Sequence, residues 1–207
     1  MLVQGITHDL RNIFAIIIGN CELAGDTPTA RHVLRIRQAA GRAAALLEAD
    51  RSDAAKVDLT TPIDLNMVAR EVSEMLRSTL VVKDKVRLQM ELADDIPNVA
   101  GSSLWIFLSV FNLCLNARDA MIPAGGMLEL TTSVKKTTVE FSVRDTGKGM
   151  SEKRLGSLWK PRLSPDRKHG HGLQIVRVSI ARMGGTIDVQ SKVGVGTTFT
   201  ISLPALA

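Results

Sequence analysis

Apolar positions open this chain at helical spacing: Leu2, Ile6, Leu10, Ile13, Ile17 and Cys21 step by threes and fours and predict a helix over 2–24. Phe14, Ile16 and Ile18 widen the apolar surface beyond a single stripe, so this helix is expected to bury more than one face. Gly25-Asp26-Thr27-Pro28 reads as a turn with Thr27 as N-cap, and Val33, Ile36, Ala40, Ala43 and Leu47 carry a second helix to about Ala55. A tight antiparallel hairpin of this kind leaves apolar surface exposed. Two copies closing into a dimeric four-helix bundle would cover it.

The rhythm changes after a polar linker over 56–61. Asp64 can cap a helix to Leu80 with Leu65, Val68, Val72 and Leu76 as its buried face, and Val86 to Leu92 alternates like a strand. After breaks at Pro97 and Gly101, an apolar helical run starts at Leu104 and ends in Phe111-Asn112-Leu113-Cys114-Leu115-Asn116-Ala117-Arg118-Asp119-Ala120-Met121. Gly125-Gly126 then turns into strands at 127–134 and 138–144, followed by a helix near 173–183 and strands near 186–190 and 197–203. Helices and strands mix without strict alternation. The expected architecture is therefore a helical hairpin (1–55), a linker (56–61) and an α+β sandwich (62–207) with helices on one sheet face.

Composition narrows the function classes. Hydrophobic residues at 45% and charged residues at 23% are ordinary for a globular protein, and 207 residues suffice for a sizeable core. The net charge of +5 raises the possibility of nucleic acid, but aromatics at 3% with no Tyr offer no base-stacking platform. The basic residues are dispersed except between Lys148 and Lys168, and so dense a local run favours a local anion such as a triphosphate. Cys21 and Cys114 both sit in apolar helical patterns, which indicates neither a disulfide framework nor a Cys-rich metal site and fits a cytoplasmic setting. No signal segment opens the chain and no apolar run is long enough to span a bilayer.

The candidate chemistry sits in the third helix and the glycine clusters behind it. Asn112 and Asn116 stand one turn apart in a greasy helix, and a buried amide without a partner costs about 1–3 kcal/mol. They form either a polar seam bonded to backbone or a pocket in which an Asn oxygen meets a hard cation carrying a polyphosphate. Asp145-Thr146-Gly147-Lys148-Gly149-Met150 ends a strand with an acid and two glycines. Gly170-His171-Gly172-Leu173 directly precedes a helix, where free N–H groups favour phosphate, and Gly194-Val195-Gly196-Thr197 enters the last strand. Each cluster alone is weak evidence. Their order after Asn-x-x-x-Asn favours the phosphate reading. At the other end of the chain, His8 lies off the apolar stripe, with Asn12 four residues on and so on the same face.

On these motifs residues 62–204 resemble the ATP-binding catalytic domain of sensor histidine kinases, within the gyrase-like ATPase superfamily. Residues 1–55 resemble their dimerisation and histidine-phosphotransfer hairpin, with His8-Asp9-Leu10-Arg11-Asn12 as the phosphoacceptor motif. The resemblance implies that His8 accepts phosphate from ATP with Asp9 assisting, and that Asn12 holds a water against the phosphorylated histidine or a partner's acyl phosphate. It implies that Asn116 ligates Mg²⁺ with Asn112 beside it, that Asp145 accepts from the adenine amino group, and that Thr197 aids through water. Gly147 and Gly149 would allow close backbone approach and lid hinging, and Gly170, His171, Gly172 and Leu173 would form the phosphate-facing segment. The partners it implies are a second copy, through residues 1–55, and the receiver domain of a response regulator. Hydrolytic members and the related Ser/Thr kinases usually carry Glu where this chain has Asn112, and an amide is no general base near neutral pH.

The chain also departs from the pattern. The lid stretch reads Leu158-Trp159-Lys160-Pro161-Arg162-Leu163-Ser164, with Arg162 in place of a second aromatic and Lys168-His169 in place of Gly-Thr. Asp119 stands where many relatives place a phosphate-facing base. Lys160, Arg162, Arg167 or Lys168 is expected to hold phosphates in compensation, or else the lid has drifted and ATP binding is weakened. Seven residues precede His8, so a truncated catalytic core and a sensorless member are both expected forms. The function this implies is autophosphorylation of His8 and transfer to an aspartate. The alternative is a phosphotransfer protein or a phosphatase-biased pseudokinase with little use of ATP.

Overall fold

The computed structural model describes residues 61–83, 85–159 and 172–206. The chain divides into two compact units, Met1–Val57 and Asp58–Ala207, and the described residues all belong to the second. The expected hairpin and four-helix bundle, with His8, Asp9 and Asn12, lie outside the described residues, as do Lys160, Arg162, Arg167, Lys168, Gly170 and His171.

Helix α1 (Leu65–Lys83) begins where Asp64 stops it from fraying: the Asp64 carboxylate accepts the Asn66 backbone N–H at 2.7 Å and its carbonyl accepts that of Val68 at 3.2 Å. Leu65, Val68, Val72 and Leu76 are buried, as their spacing predicts. Helix α2 (Ser103–Met121) is capped by Ser102, whose hydroxyl accepts from the Trp105 N–H at 3.4 Å. Trp105, Ile106, Phe107, Leu108, Val110, Phe111, Leu113 and Cys114 are all buried, so α2 is apolar nearly all round. That pattern belongs to a central helix, and α2 packs against α1, the sheet and the later helix α4 (Gly172–Arg182). Phe107 and Phe111 stack within it, ring centroids 5.9 Å apart and planes 5° from parallel.

The sheet runs in the order β2-β4-β5-β7-β6, from strands β2 (Val86–Leu92), β4 (Gly126–Lys135), β5 (Thr138–Asp145), β6 (Thr186–Lys192) and β7 (Gly196–Pro204). β2 lies parallel to β4, and every other pairing is antiparallel. Alternation places Leu128 and Leu130, then Val139, Phe141 and Val143, then Phe199, Ile201 and Leu203 on one buried face, against which the helices pack. A large apolar side chain fully buried there contributes about 1.5–3 kcal/mol. This is the α+β sandwich expected from the sequence.

Two features escape sequence periodicity. Pro62–Ile63 (β1) pairs antiparallel with Val99–Ala100 (β3), which also bridges Ala205, while the Leu206 N–H donates to the Asn98 carbonyl at 2.7 Å. Strands of two residues are too short to show a period. A four-residue helix, α3 (Glu152–Leu155), follows the glycine loop and is capped by Ser151.

Candidate functional site

The apolar face of β5 ends in a charge. Val139, Phe141, Val143 and Asp145 alternate inward together, so Asp145 occupies a core position, 4% exposed. Directly across the ladder stands Thr197, 5% exposed, which opens the matching inward row of β7. The Asp145 Oδ1 accepts the Gly147 N–H at 2.8 Å. Burial raises the pKa of this carboxyl above the ordinary carboxylate value, and hydrogen bonds from the Gly147 and Thr197 backbone lower it without offsetting the burial. Among the described residues, the hydrogen bonds of this buried acid come from its own loop and the neighbouring strand.

The loop after Asp145 is pinned from three sides. The Lys148 N–H donates to the Ala120 carbonyl in the last turn of α2 at 3.1 Å, and the Gly194 N–H donates to the Lys148 carbonyl at 2.9 Å. The Thr146 hydroxyl accepts from the Met127 N–H at 2.9 Å. Gly147 packs so closely on α2 that a Cβ there would lie 2.6 Å from the Ala120 carbonyl oxygen. Gly149 has φ +62° and faces the Lys192 carbonyl, into which a Cβ would drive. Both positions therefore need glycine for the loop to pack on α2 and on the Lys192 carbonyl.

The row Asn112, Asn116 and Ala120 steps by four along α2 and leads to that loop. Asn112 is half-buried, whereas Asn116 and Asp119 are exposed. An exposed amide oxygen is a hard donor of the kind Mg²⁺ takes when it keeps its waters and a substrate's phosphates, so Asn116 fits that ion. Among the described residues no three His, Cys, Asp or Glu side chains gather to hold a metal by themselves. Gly172 begins α4 and Leu173 is half-buried in its first turn. Trp159, at the start of the lid stretch, lies under the Arg177 guanidinium of α4, 5.9 Å from its ring centroid. The structure brings Asp145, Gly147 and Gly149 to the junction of the β5 loop with the last turn of α2, with Thr197 beside Asp145, and Asn116 and Asn112 lie one and two turns back along α2 from Ala120.

Ser191 is the residue that sequence reasoning missed. Its hydroxyl accepts the Met150 N–H at 2.8 Å, donates to the Gly196 carbonyl at 2.9 Å and lies 3.0 Å from the Thr197 hydroxyl. The sequence predicts a strand ending at Gln190. The strand in fact continues to Lys192, and that extension pairs Ser191 with Thr197. The inward alternation Ile187, Val189, Ser191 was the available signal.

Comparison with known proteins agrees with this geometry. A family profile described as "Histidine kinase-, DNA gyrase B-, and HSP90-like ATPase" matches residues 101–207. The chain is 28% identical over 214 residues to the sensor histidine kinase ZraS of Escherichia coli, covering 98% of this chain and 45% of that protein. It is 31% identical to the sensor kinase CckA of Brucella abortus, covering 99% of this chain and 24% of that one. The chain thus spans less than half the length of these curated relatives. The solved catalytic domain of the histidine kinase ThkA superposes with a TM-score of 0.62 at 24% identity, over 70% of this chain and 95% of that domain. Full-length ShkA in complex with AMPPNP superposes with a TM-score of 0.70 at 21% identity, over 100% of this chain and 46% of its own. Among the described residues no helix is long and apolar enough to cross a membrane. By the profile match over 101–207, which takes in α2 and four of the five sheet strands, the chain belongs to the histidine kinase-, DNA gyrase B- and HSP90-like ATPase family.

Proposed function

We propose that this chain is the catalytic core of a cytoplasmic two-component histidine kinase, which binds ATP in the 62–207 domain, phosphorylates His8 and passes the phosphoryl group to an aspartate of a response regulator. The observation that carries the reading is the buried Asp145, set at the foot of a pinned glycine loop that meets the Asn row of α2. An acceptor in that position suits the amino group of adenine. The absence of room for a Cβ at Gly147 lets the loop seat directly on the last turn of α2, in line with the Asn row. The match to a sensor histidine kinase over 98% of the chain supports the assignment of residues 1–55 as the phosphoacceptor hairpin and dimer contact.

Asp145 and Thr197 would orient the base, and Asn116, with Asn112 beside it, would hold Mg²⁺ against the phosphates. Bound there, the ion supplies charge neutralisation for a transferring phosphoryl group. Lys160, Arg162 and Lys168 of the lid and the Gly170-His171-Gly172-Leu173 segment would contact the phosphates, with Asp119 at the margin of the site. A ring nitrogen of His8 would form the new N–P bond as the bond from the γ-phosphorus to the bridging oxygen breaks and ADP leaves. Asp9 would assist that attack, and Asn12 would serve dephosphorylation of the partner. The protein's contribution is mostly positioning. Asn112, unable to act as a general base near neutral pH, favours transfer to His8 over hydrolysis.

Incubating the full chain with radiolabelled ATP tests this. The label is expected to be acid-labile and alkali-stable, and to disappear in His8→Gln, which keeps helix propensity and bulk. Acid-stable label, or label retained by His8→Gln, would place the acceptor elsewhere.

A further inference from the structure

The Ser191 hydroxyl is held on every side, and counting its proton determines what Thr197 can offer a ligand. A hydroxyl has one proton and two lone pairs. One lone pair of Ser191 receives the Met150 N–H at 2.8 Å. Its proton points at the Gly196 carbonyl at 2.9 Å, because two oxygens this close with no proton between them repel. The contact with Thr197, 3.0 Å away, must then run the other way, with Thr197 donating into the second lone pair of Ser191. Thr197 has spent its only proton on the protein and turns lone pairs alone toward the site. Asp145, opposite it on the ladder, is an acceptor as well when ionised.

We propose that Ser191 is a specificity-determining positioning residue: by taking the Thr197 proton it makes the inner end of the site acceptor-only, which selects a 6-amino group over a 6-oxo group on the bound purine. A water facing the 6-substituent of the base obeys the same rule. If it donates one proton to Asp145 and one to Thr197, it has only lone pairs left and asks that substituent for a donor. Ser191 acts through Thr197 and need not touch the base. Without it the Thr197 hydroxyl can rotate and donate to a 6-oxo group, so discrimination falls while the pocket survives. The same oxygen anchors Met150, where the glycine loop leaves for α3, so a purely structural loss would loosen the site for every nucleotide alike.

This inference rests on the nucleotide reading of the site, and the experiment separates the two. ADP and inosine diphosphate, which differ in the 6-amino and 6-oxo groups and the N1 proton, are titrated with Mg²⁺ into the full chain by calorimetry. The unmutated chain is expected to prefer ADP. In Ser191→Ala the ADP-to-IDP affinity ratio should fall by about two- to tenfold, the fold-change of one neutral hydrogen bond, and Ser191→Thr should restore it. Should the alanine variant fail to fold, Ser191→Cys keeps the volume while its thiol is a poor acceptor, and the same fall in ratio is expected. Equal losses of ADP and IDP would reduce Ser191 to a structural role and overturn the proposal. Equal binding of both by the unmutated chain would refute the acceptor-only end yet leave the nucleotide site standing. Binding of neither would overturn the nucleotide reading itself and this inference with it.

Discussion

Replacing Asp145 with Asn should separate nucleotide recognition from fold stability, and the two effects should run in opposite directions. The Oδ1 of Asp145 is held by the Gly147 N–H at 2.8 Å, and an Asn oxygen can keep that bond. The second oxygen then becomes an NH₂ group, which would meet the adenine amino group with a donor where the carboxylate offered an acceptor. A lost hydrogen bond with a buried polar group left unpaired costs about 1–3 kcal/mol, so ADP affinity should fall by about five- to 150-fold. Stability should hold or rise at neutral pH, because burial penalises the charge by more than its two backbone bonds recover. The sign follows from linkage. With its native pKa raised, the folded chain binds the proton more tightly than the unfolded chain, so the contribution of Asp145 to stability falls as pH rises from the ordinary carboxylate range through the raised native value. Asp145→Asn should lack that component. Calorimetric titration of ADP and urea denaturation across that pH range would measure both. Undiminished affinity, or a loss of stability at neutral pH in step with the loss of affinity, would refute the reasoning.

Other expectations follow from single contacts. Asn116→Ala removes an exposed side chain, so urea stability should move by less than about 0.5 kcal/mol, while the ratio of ATP affinity with and without Mg²⁺ should drop toward one. Gly149→Ala requires φ +62° of a residue with a Cβ aimed at the Lys192 carbonyl; the dihedral alone costs about 1–2 kcal/mol, and melting temperature and ADP affinity should both fall. Asn66→Ala deletes the bond from Asn66 Nδ2 to the Ala93 carbonyl at 2.9 Å and leaves the buried Thr132 hydroxyl without its acceptor at 2.6 Å, a loss of about 1–3 kcal/mol in urea with nucleotide affinity unchanged. If residues 1–55 form the proposed bundle, light scattering at high concentration should report a dimer.

The sequence by itself determined the elements and much of the candidate site. Helical spacing marked the buried face of α1, and strict alternation marked β2, β4, β5 and β7 to within a residue or two, because burial on one face imposes the period on the side chains themselves. Asp145 was visible as an acid at the end of an apolar alternation, and Gly147 and Gly149 as glycines where a strand gives way to a loop. Pairing was left to the tertiary structure. The parallel join of β2 to β4, the two-residue strands at Pro62–Ile63 and Val99–Ala100, and the carbonyls that crowd Gly147 and Gly149 all depend on segments distant in sequence. Ser191 makes the point most sharply. Local alternation marks it only as an inward position at a strand end, and its meaning comes from the register that sets it against Thr197 and beneath Met150. A hydroxyl's proton goes where its neighbours allow, and only the folded chain decides which neighbours those are.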